Sequence, residues 1–398
     1  MNNTSIRKFS TTHILIHSTF QMMSTIFYGF GIYMLIERGY SSSAAGLCFT
    51  CVNLTGLILT PFLSNYLDNN DKVSVFDVIM LFSMGFCLLY FINFFLDTKC
   101  LLLSIVFIVS NSLYVLLDPI VNSISSKVNQ YGINIPYTGA RALGSVSYGT
   151  MCAVFGFLSN RFSYISVIIG GIVFSLALFI CGTIGNKQFK KIKETNSLVE
   201  EDNDRVSIKE FVKNNKNYLI LCLCITGIFI GYTSVDNFIL LVTTNVGGTN
   251  QDMGCLLAYK AALEGIAISS FPLVLKKVKL ENTLYIAVVA FIIKQLVITL
   301  APNVFWLYIG QTFQLISYSF LTPGIVAFVN KYLKKRERIR GISMYSMTVG
   351  IGSAVSSTTS GYILDLFGVR AMNIYALSIT IISVIGFIIT LRYREKHN

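Results

Sequence analysis

The sequence predicts an all-α membrane protein: twelve transmembrane helices in two six-helix bundles, with both termini cytoplasmic. Three observations carry this. Hydrophobic residues make up 54% of the 398 positions and charged residues only 13%, about half the charge of a typical soluble domain. Apolar runs long enough to cross a bilayer, about 20 residues each, recur twelve times. Lys and Arg are also distributed unevenly between the two sides of those runs. Such a composition excludes a soluble enzyme and a disordered chain. The net charge of +12 is too thinly spread for a nucleic-acid binder.

In chain order the spans fall at 11–36, 43–63, 75–96, 101–123, 137–158 and 164–184, then at 218–243, 253–275, 283–300, 305–328, 341–366 and 372–391. Each is parted from the next by a short polar connection, so neighbours run antiparallel. The exception is 185–217, a charged linker with Lys187, Lys190, Lys191 and Lys193 followed by Glu200, Glu201, Asp202 and Asp204. Those charges keep it out of lipid. It separates an N-terminal bundle, 1–184, from a C-terminal bundle, 218–398.

Orientation follows from the basic residues. With the termini and even-numbered connections taken as one side, that side holds twenty-five of the thirty-one Lys and Arg. The other holds Arg38, Lys99, Arg161 and Arg370; Lys260 and Lys294 lie inside spans. The rich side is expected in the cytoplasm, and the positive charge reads as an orientation signal rather than a surface for an acidic partner. The expected setting is a cell membrane crossed many times. No cleaved signal peptide is expected at the N-terminus.

The halves echo each other. The first span ends in Gly39-Tyr-Ser-Ser-Ser-Ala-Ala-Gly46 and the seventh in Gly247-Gly-Thr-Asn-Gln-Asp-Met-Gly254, a spacing repeated at an offset of 208 residues. Pro61 and Pro272 follow at an offset of 211. Parallel six-helix repeats joined by a linker are the architecture of a secondary transporter, with the solute site expected between the halves.

Ionisable residues inside spans cost free energy and mark function or a buried partner. Asp236, Lys260, Glu264 and Lys294 form such a set on helices seven, eight and nine. Lys260 and Glu264 are four apart and share a helix face. Two readings fit these residues: a charge-neutral cluster that fixes helix packing, or a proton-coupling group. In the second, Asp236 or Glu264 takes up and releases a proton while Lys260 or Lys294 neutralises the ionised carboxylate. In the N-terminal half, Asp118 and Asn122 lie four apart beside Pro119, and Arg141 opens a glycine-rich helix. Arg141 reads either as part of the positive-inside belt or as a forked donor for a carboxylate or hydroxyl. Asn237, Gln311 and Gln314 are polar enough to line a cavity. Tyr232 is one of several tyrosines placed to stack on a ring. His13 and His17 read as an interfacial pair at the start of helix one.

The nine Cys, an odd number, lie in or beside apolar runs and read as packing residues rather than disulfides or metal ligands. No P-loop, zinc box or catalytic triad is present, so neither an enzyme nor a metal or organic cofactor is expected.

The segment Tyr137-Thr-Gly-Ala-Arg141-Ala-Leu-Gly144-Ser145-Val-Ser-Tyr148 resembles the major facilitator superfamily. It is most similar to the branch of proton-coupled sugar and nucleoside permeases that includes lactose permease. That branch has R-x-x-G-S/C-x-G-W/F on helix five, and here Ser147 replaces the second Gly. The resemblance implies that Arg141, Ser145 and Tyr148 contact solute. Pro119-Ile-Val-Asn122 is similar to a helix-four motif ending in an acid, so the acid here is absent or supplied by Asp118. Gly254 and Glu264 match the helix-eight Gly-to-Glu spacing. Lys294 stands where the branch carries Arg, and Gln314 where it carries His. The loop between helices two and three keeps only Asp68 and Lys72 of the superfamily motif.

The expectation is a monomeric secondary active transporter moving a small polar solute, sugar or nucleoside-like, by alternating access with H+ as the coupling ion. The substrate-contacting set is Asp118, Asn122, Arg141, Ser145, Tyr148, Asp236, Asn237, Gln311 and Gln314. The proton-coupling set is Asp236, Lys260, Glu264 and Lys294. One alternative is a proton-driven exporter of a drug or small metabolite on the same fold. Another is a polytopic membrane enzyme or receptor.

Overall fold

Long apolar runs with no water to satisfy the backbone must bond internally, and helices do so within one segment. The computed structural model describes residues 3–70, 73–135, 137–195 and 207–397, and its regular elements are all helical. Lys72 and 196–206 of the linker, with Glu200, Glu201, Asp202 and Asp204, lie outside the described residues.

Each of the twelve expected spans is a helical rod, three of them interrupted. The first rod is α1 (Asn3–Ser24), a wide turn at Thr25–Gly29 and α2 (Gly31–Ile36). Then come α3 (Ser42–Asp68), α4 (Val75–Phe94), α5 (Leu101–Asn129), α6 (Tyr137–Phe162) and α7 (Ile165–Thr195). A short helix, α8 (Ile208–Asn214), precedes the second interrupted rod, α9 (Lys216–Asn237) with α10 (Ile239–Asn245). α11 (Asn250–Leu275) and α12 (Leu280–Thr299) follow. The third interrupted rod is α13 (Val304–Thr312), a tight turn at Phe313–Leu315 and α14 (Tyr318–Tyr332). The last two rods are the arms of α15 (Arg338–His397), which turns at Gly368 with φ +78°. By length and composition ten described stretches can cross a membrane. In that count α15 enters once, and the rod of α1 and α2 does not enter.

The chain divides into two compact units. One contains Met1–Tyr40 with Cys51–Asp202, the other Ser41–Thr50 with Asn203–Asn398. In the first, aromatic rings fill the interior: Phe20 stacks on Tyr114 at 5.0 Å and Phe86 on Tyr90 at 4.2 Å. Arg38 is buried near one end, its guanidinium donating to Asn93 and lying 4.4 Å from the Tyr164 ring centre. In the second, the first turns of α3 are capped by Asp365, whose carboxylate accepts from the N–H of Ser42 (2.9 Å) and Ser43 (2.8 Å).

The internal repeat has a conformational basis. Gly39 and Gly247 both leave their helices with left-handed φ, +83° and +82°, a region open to glycine at no steric cost. Thr249 then opens α11 with a capping box: Asp252 N–H donates to its hydroxyl at 3.3 Å, and its own N–H donates to the Asp252 carboxylate at 2.7 Å.

One local expectation needs correction. Helix six does not stop at 184, because α7 continues to Thr195. Phe189 and Ile192 fall at helical spacing and are buried, while Lys190 and Lys191 point outward, so the charged start of the linker is amphipathic helix. Asn186 also ties it down, donating to Asp77 at 2.7 Å. His13 and His17 are both buried within the first unit, 4.8 Å apart as rings. The helix starts at Asn3, eight residues before the apolar run, which puts them well inside it.

In the second unit α9 packs against α15 through a Gly-x-x-x-Gly pair, Gly227 and Gly231. A Cβ on Gly231 would lie 2.0 Å from Thr380 Oγ1 and 2.5 Å from the Ala376 carbonyl. Close backbone approach is what holds helices together where lipid offers no hydrophobic drive. Gly231→Val is expected to cost about 3 kcal/mol through forced separation of the two helices. Gly265→Ala, where nothing lies within 4 Å of the new Cβ, is expected to stay within about 0.5 kcal/mol of the parent. Thermal unfolding of the purified proteins compares the two, and equal melting temperatures would refute the packing argument.

Candidate functional site

In the second unit the Lys260–Asp236 pair and Lys294 gather around the Tyr232 ring. α9 carries Tyr232 and Asp236 one turn apart on one face. α11 brings Lys260, whose Nζ donates to both carboxylate oxygens of Asp236, at 2.6 and 2.7 Å. The Lys260 side chain is 7% exposed and that of Asp236 24%, so the pair is nearly dry on one side and wetted on the other. Glu264 sits one turn further along α11, half-buried. α12 supplies Lys294, 2% exposed. Its Nζ donates to Gln314 Oε1 at 2.6 Å, and Gln314 Nε2 donates to the Tyr232 hydroxyl at 3.1 Å.

Tyr232 links the two cations. Lys294 Nζ lies 4.7 Å from its ring centre and Lys260 Nζ 5.6 Å. An aromatic face attracts cations, more strongly when water is removed. The ring is held by Tyr318, stacked at 5.6 Å, and Phe291, edge-on at 5.7 Å. Gln295, next to Lys294, donates to the Gly231 carbonyl at 2.7 Å and fixes α12 against α9.

Other expected residues are placed as follows. Asn237 donates to Ser357 Oγ at 2.8 Å, in the seam with α15. Gln311 is buried and its Oε1 has no hydrogen-bond partner. The turn Phe313–Leu315 separates Gln311 from α14, and the Gln314 carbonyl freed there accepts from Ser319 Oγ at 2.9 Å.

The first unit assembles a second polar group. Asp118 on α5 is solvent-accessible and lies within hydrogen-bonding range of Asn122. Asn122 accepts from the Tyr137 hydroxyl at 3.0 Å. Arg141 acts electrostatically on both Asp118 and Tyr137. Ser145 donates to the Arg141 carbonyl at 3.3 Å, and Tyr148 is half-buried on the same helix. His17 reaches this group through Tyr137, with ring centres 5.6 Å apart.

Sequence reasoning missed Tyr137, Gln295 and Tyr318. Gln295 carried a signal, since Lys294-Gln295 is a polar pair in the middle of an apolar span. The two tyrosines carried none, being two among twenty-one. Among the described residues no group of three or more His, Cys, Asp or Glu is placed to hold a metal ion.

The all-helical fold is shared with solved membrane transporters. A mutant form of the nucleoside transporter NupG superposes with a TM-score of 0.80 at 12% identity, covering 96% of this chain and 99% of that one. The peptide-transporter-family protein PepTSo superposes with a TM-score of 0.77 at 10% identity, covering 100% and 99%. A bacterial homologue of the iron transporter ferroportin, inward-facing, gives 0.73 at 11%, covering 98% and 100%. No curated protein matches by sequence. The MFS_1 like family matches residues 13–375, and the chain belongs to that family. It is a multi-pass membrane transporter of the major facilitator type and not an enzyme.

Removing Lys260 alone leaves the Asp236 carboxylate without its ammonium. A fully buried pair broken in this way costs about 3–5 kcal/mol; with Asp236 partly wetted, Lys260→Gln is expected to cost about 2 kcal/mol. The double variant Lys260→Gln/Asp236→Asn is expected to recover most of that loss. Thermal unfolding reads both, and a double variant no more stable than the single one would refute the pairing.

Proposed function

We propose that the protein moves a small polar solute, sugar or nucleoside-like, across a cell membrane by alternating access, taking a proton with it. The observation that carries this reading is the Lys260 ammonium held by both oxygens of Asp236, with a second carboxylate, Glu264, one turn away on its own helix. One cation facing two acids is a proton exchanger in miniature. A proton on Asp236 removes half of the pair and releases Lys260 toward Glu264; loss of that proton restores the pair. Glu264 is ionised in both arrangements, so Lys260 always faces a carboxylate, while the cluster gains one proton and one unit of positive charge in the first and gives both up in the second.

Arg141, Asp118, Asn122 and Tyr137 supply donors and acceptors for hydroxyl groups in the first unit. Ser145 and Tyr148 extend that surface along α6, as the resemblance to sugar and nucleoside permeases implies. The name of the nucleoside transporter NupG supports the same class of solute. The Lys and Arg asymmetry supports cytoplasmic termini. The protein acts as a monomer with H+ as coupling ion and no other cofactor.

Proteoliposomes with an entrapped pH-sensitive dye test the coupling. Glucose, uridine, glycerol and glucuronate are each added without any gradient. At least one is expected to drive proton entry, and Glu264→Gln is expected to abolish that entry while leaving solute exchange measurable. Uptake indifferent to both the pH gradient and Glu264→Gln would overturn the assignment.

A further inference from the structure

Three helix ends of the second unit meet in a basic group. Glu281, in the first turn of α12, is buried, and two side chains from the end of α14 close on it. Lys331 Nζ donates to Glu281 Oε1 at 2.6 Å, and the Tyr332 hydroxyl donates to the same oxygen. Arg394, near the end of α15, lays its guanidinium over the rings of Phe328, at 4.6 Å, and Tyr332, at 4.5 Å. Lys331 Nζ lies 4.8 Å from the Tyr332 ring centre as well. One ring thus carries two cations, and one carboxylate answers them.

The charge is left unbalanced. The Lys331 side chain is 51% exposed, so its ammonium keeps donors free for a second partner. Arg394 Nη1 has no hydrogen-bond acceptor. Lys279, Lys334, Lys335 and Arg392 stand within four residues of this group and are exposed. Among the described side chains of 276–281, 331–335 and 392–394, Glu281 is the only acid. An orientation signal asks only that basic residues flank the spans. It does not ask that Lys331 and Arg394 converge on one ring.

The helices that bring these cations together also face lipid. On α15, Ile382, Ile385, Ile389 and Tyr393 are exposed at helical spacing, while Val384, Phe387 and Leu391 are buried on the other face. On α12, Ile286, Val289, Ile293 and Leu296 form a like stripe. Both stripes run up to the basic group, and Tyr393 is an aromatic of the kind that sits at headgroup level. The cations therefore lie where acyl chains give way to headgroups.

We propose that Lys331, Arg392 and Arg394 form a headgroup site for an anionic phospholipid, whose phosphate answers the positive charge that Glu281 leaves over. Basic side chains at this level attract acidic lipid over about a Debye length, and a guanidinium matches a phosphate as a planar fork. A zwitterionic lipid offers the same phosphate but brings its own cation, so the site selects for net negative charge. Free phosphate lacks the acyl chains that the two stripes receive. The bound lipid braces the ends of α12, α14 and α15 against one another. None of this depends on the solute or the coupling ion, so its failure leaves the proposed function as it stands.

Thermal unfolding of the purified full-length chain in a neutral detergent, followed by the fluorescence of Trp306, the single tryptophan, tests this. Phosphatidylglycerol in mixed micelles is compared with phosphatidylcholine and with inorganic phosphate. Phosphatidylglycerol is expected to raise Tm several degrees above phosphatidylcholine, and high salt to shrink that difference. Arg392→Gln, at an exposed position, is expected to fold as the parent does and to lose part of the difference. Arg392→Gln/Lys331→Gln is expected to lose nearly all of it. Lys213→Gln, at an exposed lysine of α8, is expected to keep it. Each variant is read as its own difference between the two lipids, so the resting cost of breaking the Lys331–Glu281 pair does not enter. An equal shift with phosphatidylcholine, a shift matched by inorganic phosphate, one undiminished in Arg392→Gln or in the double variant, or one lost as readily in Lys213→Gln would each overturn the proposal.

Discussion

Charge in a membrane has to be answered by another charge or by function, and this constraint organises the second unit. Asp236, Lys260 and Lys294 come from three helices and meet at one aromatic ring. The Lys260–Asp236 pair ties α11 to α9, with two donor contacts to one carboxylate. Gln295 ties α12 to α9 through the Gly231 carbonyl. Lys294 ties α12 to the turn before α14 through Gln314. The polar contacts thus join the helices that the glycine seam with α15 does not reach. Hydrocarbon neither drives helices together nor tolerates an unpaired ammonium, so the same contacts that locate the chemistry also locate the helices.

The interrupted rods belong to the same account. Backbone freed from a helix at membrane depth is tolerated only where something else satisfies it. At the wide turn in the first rod, Phe30 N–H donates to Thr25 O at 3.0 Å, a bond one residue longer than helical. At the tight turn in the third, Ser319 accepts the task for the Gln314 carbonyl. Phe238 breaks the rod of α9 and α10 immediately after Asp236 and Asn237. Two of the three interruptions therefore adjoin the charged cluster.

The rods were legible in the sequence because lipid enforces a coarse rule that a single chain displays. Apolar runs mark them and basic residues part them. Gly39 and Gly247 betray the repeat, since a left-handed exit is where glycine is needed. Boundaries were less legible where a helix continues past its apolar run. α7 runs on through Lys187, Lys190 and Lys191 because Phe189 and Ile192 are still covered, and α1 begins before it becomes apolar. The interruptions had no clear signal, since Thr25, Phe238 and Phe313 are ordinary helix residues. In the site, the buried charges were conspicuous as points of polarity in apolar text. Their pairing was not, because Asp236 and Lys260 are 24 positions apart and Lys294 had two acids to choose from. Tyr318 and Tyr137 were invisible among many tyrosines that only pack.

The arrangement around Tyr232 treats its two ammonium groups differently. Asp236 does not divide its oxygens between them. Instead Lys260 takes both oxygens, leaving Lys294 with a neutral amide and a ring face. Both partners are polarisable rather than charged, and so hold the ammonium in place without neutralising it. Tyr232 nevertheless touches each side, bonding Gln314 through its hydroxyl and meeting both ammonium groups with its face.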